Sequence, residues 1–212
     1  MKFIKVLLII FLLSGCSNIY DQNIKTYDLN TELDNIFSNT NKSEALLNNY
    51  SKYMDYYLPY EVEEDSCDSL SSIYTLGNGK LVMNINVSGI INGKYSDDGF
   101  FDEDKKIYSS ISYFVNRDDN NEKYTFCLYQ YEDDYLLYFI DKEIIFYGYT
   151  YSNEVVLMAK KIFDIAKSIS ISDEDVIDAF SSSETIDYQK TYVNLFQTVM
   201  PTEGRIDEFI IE

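Results

Sequence analysis

Between residues 107 and 151 the chain places four runs of β-branched and aromatic residues so close together that only antiparallel neighbours can accommodate them. The runs are 107–116, 123–131, 135–141 and 143–150, separated by RDDNNE, EDD and a tight turn near Asp141-Lys142. A parallel return needs a crossover of about a dozen residues, so each strand must fold back on its predecessor. Upstream, Leu81, Met83, Ile85 and Val87 alternate with Val82, Asn84, Asn86 and Ser88, the period of a half-buried strand. Asn78-Gly79 just before it offers two residues that tolerate φ > 0. A two-residue turn there pairs Leu76 with Leu81, Tyr74 with Met83 and Leu70 with Val87, all on one face.

On either side the period becomes helical. A first helical block covers 29–38 and 43–58; in its second part Leu46, Tyr50, Tyr53, Met54 and Tyr57 form an amphipathic stripe that Pro59 ends. Downstream, Val155, Met158, Ala159, Ile162, Ile165, Ala166 and Ile169 predict a longer helix with Lys160, Lys161, Asp164 and Lys167 opposite. Ser172 with Asp175 resembles a capping box that opens a short helix through Phe180. Ser183 can cap another, striped by Ile186, Val193, Phe196 and Met200 and stopped by Pro201, while 204–212 fits a terminal helical turn or an edge strand. The expected architecture is α+β: an N-terminal helix, an antiparallel meander of about six strands, and C-terminal helices packed on one sheet face.

The first sixteen residues carry a different message. Lys2 and Lys5 precede an unbroken apolar run, 6–13, too short to span a bilayer, and small residues then lead to one cysteine. Leu13-Ser14-Gly15-Cys16 resembles the bacterial lipobox, and the resemblance ends there. It implies cleavage between Gly15 and Cys16, diacylation of the Cys16 sulfur, and a protein anchored by lipid on the extracytoplasmic face of the cell membrane. The alternative is an ordinary signal peptide followed by an unrelated cysteine. On the lipoprotein reading, 1–15 is the signal peptide and 16–28 the lipidated cysteine with a polar tether of about 20 Å. Residues 29–212 then form a single domain.

Composition narrows the chemistry. The chain has no histidine, which removes Ser-His-Asp and Cys-His nucleophile systems and the usual zinc sites. Its formal charge is −19, and losing Lys2 and Lys5 with the leader takes it to −21. Such a domain is repelled by nucleic acid and by anionic headgroups, so the acyl chains must hold it unaided. Abundant Asn, Ile, Lys and Tyr are what AT-rich codons produce, which favours a low-GC monoderm source.

Candidate sites are few. Cys67 and Cys127 remain once Cys16 is acylated, as a disulfide or as two free thiols. The acidic environment of Cys67 opposes a catalytic thiolate. Asp97 to Asp104 fails the EF-hand pattern because Gly99 and Phe101 occupy ligand positions. Asp118-Asp119 and Asp133-Asp134 suit turns. Tyr124, Tyr129, Tyr131, Tyr135, Tyr138, Tyr147, Tyr149 and Tyr151 could line a ligand platform or simply pack a sheet. No catalytic residue, cofactor or metal is expected. The expected role is non-catalytic binding of an envelope protein or peptide through a sheet face or edge. The alternatives are capture of a ligand or cation for a transporter and, third, carboxylate-dependent wall hydrolysis.

Overall fold

The computed structural model describes residues 28–93 and 101–181. The expected signal peptide with Gly15 and Cys16, the expected tether as far as residue 27, and the helix expected after Ser183 lie outside them. Helix α1 (Leu29–Phe37) is followed by β1 (Asn49–Tyr50), β2 (Met54–Tyr56), β3 (Glu63–Cys67), β4 (Ser71–Leu76), β5 (Gly79–Ile85) and α2 (Val87–Asn92). After residue 100 come β6 (Lys106–Val115), β7 (Asn121–Tyr131), β8 (Asp134–Ile140), β9 (Ile144–Tyr151), α3 (Val155–Ser168), β10 (Ser170–Ile171) and α4 (Asp173–Phe180).

Seven strands form one antiparallel sheet in the order β3-β4-β5-β9-β8-β7-β6. It is therefore two meanders rather than one. From β5 the chain crosses to the far edge, lays down β6, and returns strand by strand until β9 pairs with β5. Helices α1 and α3 cover one face, where Phe37, Tyr124, Phe126, Phe146, Met158, Ile162 and Phe163 belong to the main core. Burying such side chains contributes roughly 1.5–3 kcal/mol each before entropy is subtracted. Gly148 sits under α3, where a Cβ would lie 3.1 Å from Met158 Cγ and 3.3 Å from Leu137 Cβ. A second cluster on the outer face joins Val82, Cys127, Tyr129, Leu136, Tyr138, Ile140 and Tyr147.

The expected helix over 43–58 is absent. Leu46 and Tyr50, nominally on its apolar stripe, are 83% and 67% exposed, whereas Tyr56, off the stripe, is fully buried. Asn and Ser side chains take up the backbone groups that a helix would need. Asn48 bonds both Leu58 N–H and Leu58 O, and Ser51 bonds Met54 O. The segment instead forms β1 and β2, which with β10 make a three-stranded sheet.

The β4–β5 hairpin forms, but its turn is Gly77-Asn78. Leu76 pairs with Gly79, Tyr74 with Leu81 and Ser72 with Met83. Gly77 takes φ 59°. Gly79 must lack a side chain because a Cβ would sit 2.7 Å from Met158 Cε and 2.8 Å from Tyr149 O. The shift from the expected register is two residues, so the same side chains still face the core. Val87 opens α2 rather than extending β5. Ser172 stands at the N-cap of α4 without a side-chain cap bond; Asp173, Glu174 and Asp175 supply negative charge to its first turn instead.

Candidate functional site

The cysteine pair does not meet. Cys67 lies on β3 and Cys127 on β7, five strand spacings away in the sheet order. At ~4.8 Å per spacing that is on the order of 24 Å, far beyond the ~7 Å limit for bridged Cα atoms. Neither is in a disulfide; Cys67 is exposed and Cys127 buried. Strand alternation also divides the tyrosines. Tyr124 and Tyr135 point to the helix face, while Tyr129, Tyr131, Tyr138 and Tyr147 join the outer-face cluster. Phe101 packs on Tyr129, Tyr138 and Tyr147 with centroids 5.0, 5.7 and 6.0 Å away. Tyr129, Tyr138 and Tyr147 are buried; they are packing residues, not an open platform.

The most perturbed acids gather at the β8–β9 turn. Asp141 Oδ1 accepts from Glu143 N (2.7 Å) and Ile144 N (2.8 Å), which locks the turn. Asn86 ties it to α2, donating from Nδ2 to Asp141 O and from its N–H to Glu143 O. Gly89 allows this approach, since a Cβ there would lie against Lys142 O. Burial pushes the Asp141 carboxyl up to about 7 against those two N–H bonds. Burial, with the negative charges of Asp141, Glu122 and Asp173, pushes Glu143 up to about 8. Lys142 Nζ meets Asp173 Oδ2 at 2.6 Å and joins the turn to α4. Such groups can exchange protons near neutrality, but Asp141 is sealed from solvent and holds backbone; its role is structural. Among the described residues no group of three or more His, Cys, Asp or Glu has the arrangement of a metal site. A cleft of about 460 Å³ beside α4 is shallow and lined by Lys52, Tyr53, Asp175, Asp178 and Ala179.

What stands open is the β6 edge. Among the described residues β6 pairs only with β7. Asn116 N–H bonds Asn120 O across the β6–β7 turn, whereas Val115 N–H points the opposite way, to Thr40 O. Because backbone groups alternate along a strand, Ser109, Ile111 and Tyr113 also turn their N–H and C=O groups away from β7. Among the described residues nothing pairs with those groups. The bulge between Lys106 and Tyr108 ends the regular stretch below Ser109, and Thr40 ends it above. The side chains of Ile111 and Tyr113 are 61% and 50% exposed on the outer face. From 107 to 115 there is no Asp, Glu, Lys, Arg or Pro.

From the helix face the edge is firmly held. Tyr108 donates to Asp34 Oδ1 on α1 at 2.7 Å, and Phe37 lies 4.5 Å from Phe126 and 5.1 Å from Phe163 between ring centroids. Sequence reading placed the strand but not its exposure. The available signal was the run IYSSISYFV, uncharged in a chain of charge −19. Comparison with known proteins finds no matching family model and no matching curated protein.

Proposed function

We propose that this protein is an extracytoplasmic lipoprotein, held at the membrane by acyl chains on Cys16, whose domain is a non-catalytic binding module that accepts a strand from another protein chain along β6. The observation that carries the binding reading is the free, uncharged and rigidly backed edge over Ser109, Ile111 and Tyr113. Strand addition exploits such an edge: backbone hydrogen bonds supply affinity and alternate side chains supply selectivity. The basic-then-apolar leader ending in Leu13-Ser14-Gly15-Cys16 supports the anchor. Two acyl chains give the stable attachment that one does not, and an acidic domain cannot add electrostatic attraction to anionic lipid.

Two measurements test it. A photocrosslinking side chain at Ile111 should capture a protein in intact cells, and the same group at Glu64 on β3 should not. Equal capture at both positions, or none at Ile111, rejects the edge. Cys16→Ala should abolish acyl labelling and leave the protein uncleaved or released from the membrane fraction. Retained label and membrane association in that variant reject the anchor.

A further inference from the structure

We infer that the strand added at β6 is β6 of a second copy of this chain, paired antiparallel about a twofold axis at Ile111. The inference rests on β6 being a binding edge and names the occupant. Ser109, Ile111 and Tyr113 are the three residues of the regular stretch whose outward backbone groups meet no partner among the described residues, Val115 being taken up by Thr40. With the axis at Ile111, each meets an outward-facing residue of the second copy: Ile111 opposes Ile111, and Ser109 opposes Tyr113 in both directions. Moving the register by one residue sets outward groups against groups already bonded to β7. Shifting it by two leaves one outward residue unmatched or calls on Val115, whose N–H already bonds Thr40 O.

The side chains fit the same axis. Residues 108–114 read almost alike in both directions about Ile111: Tyr108 opposes Phe114, and Ser110 opposes Ser112. An isologous contact places each patch against itself, so it needs this self-complementarity, and matched aromatic or β-branched cross-strand pairs stabilise a sheet. It must also avoid like charges, and 107–115 has none in a chain of net charge −19. An antiparallel twofold between edge strands runs normal to the sheet. Both copies therefore carry α1 on the same side of the fourteen-stranded sheet, as two anchors in one bilayer require.

The test uses full-length protein in its own membranes, in a Cys67→Ser background that removes the exposed thiol. Residues in a hydrogen-bonded antiparallel pair have Cα atoms about 5.5 Å apart, within disulfide range. Ile111→Cys, oxidised with copper phenanthroline, should give a disulfide-linked species of two copies. Adding Ser109→Pro, which removes an outward N–H and leaves the β7 ladder intact, should reduce its yield at least tenfold. Glu64→Cys on β3 should give none. A benzophenone side chain at Ile111 identifies whatever else lies there. Capture of a different protein overturns the second copy but keeps β6 as a binding edge. Capture of the chain's own residues 182–212 within one molecule, or no adduct by either chemistry, overturns both.

Discussion

The sheet has two edges that share the same backbone chemistry and differ in everything else. At one end, β3 is five residues, Glu63-Glu64-Asp65-Ser66-Cys67, all exposed, with a register shift between Glu64 and Ser66. Asp65 is tied back by Lys80 at 2.7 Å and Thr75 at 2.8 Å. Short length, charge and a bulge are the devices by which strands resist foreign pairing. At the other end, β6 is ten residues, uncharged beyond Lys106, and among the described residues nothing pairs with the outward groups of Ser109, Ile111 and Tyr113. Among the described residues, then, the chain defends one edge by charge and a bulge and leaves the regular stretch of the other without those devices. The outward backbone of β6 over Ser109, Ile111 and Tyr113 is unpaired among those residues while its helix-face side chains Tyr108 and Phe114 are packed.

The comparison can be broken at either end. The largest stability effect is expected from Phe37→Ala, which empties the contact between α1, α3 and the β6–β7 pair. A loss of about 3–5 kcal/mol is expected, read by chemical denaturation; a loss under about 1 kcal/mol means that the edge is not held from beneath. At the β3 end, Tyr56 and Tyr74 share a buried hydroxyl pair at 2.6 Å. Tyr56→Phe leaves the Tyr74 hydroxyl without that partner and should cost about 1–3 kcal/mol. The Tyr56 hydroxyl itself is pushed up to about 12 by burial, so it is neutral at any ordinary pH.

Between the edges, the β8–β9 turn should impose a pH dependence. Asp141 and Glu143 hold their protons more tightly folded than unfolded. Their contribution is therefore full below the ordinary carboxylate range, near pH 4, and is lost as pH rises through about 7 and about 8. Melting temperature should fall across that window, and Glu143→Gln, which imitates the protonated side chain, should flatten the fall. An unchanged slope in that variant removes Glu143 as the source. The effect is on the order of 1–2 kcal/mol once solvent screening is allowed for.

The smallest stability changes should accompany the clearest change in association. Ile111→Lys, at an exposed position, should alter stability by no more than about 0.5 kcal/mol yet suppress pairing at β6 by adding an edge charge. Conversely, Glu64→Thr with Asp65→Thr strips β3 of two acids and should raise light scattering of the purified protein. If Ile111→Lys pairs as before, or the β3 double variant stays as dispersed as the parent, charge is not what distinguishes the edges.

Local pattern was legible wherever it coincided with a long element. The period-two runs of 107–151 and the stripe from Val155 to Ile169 led directly to β6 through β9 and α3, because a strongly periodic segment has one way to bury its apolar side. The hairpin before Leu81 was legible in its face but not its tip: Gly77 takes the left-handed φ of the turn, whereas Gly79 lies in the strand, where Met158 and Tyr149 leave no room for a side chain. The stripe from Leu46 to Tyr57 misled because tyrosine suits a strand as well as a helix face, and Asn48 and Ser51 found backbone partners beyond local sequence. The Cys67–Cys127 alternative turned on strand order, which no local pattern encodes.

By itself, then, the sequence determined the α+β class, the antiparallel pairing of the central strands, and the exclusion of histidine-based chemistry. Those follow from residue type and spacing, which act over a few neighbours. Tertiary structure alone decided that β9 inserts beside β5, that five strand spacings separate the two cysteines, and that β6 rather than β3 is, among the described residues, the long uncharged edge without a second partner strand. Those depend on which distant strands lie side by side, a choice made when the apolar faces of sheet and helices close on each other.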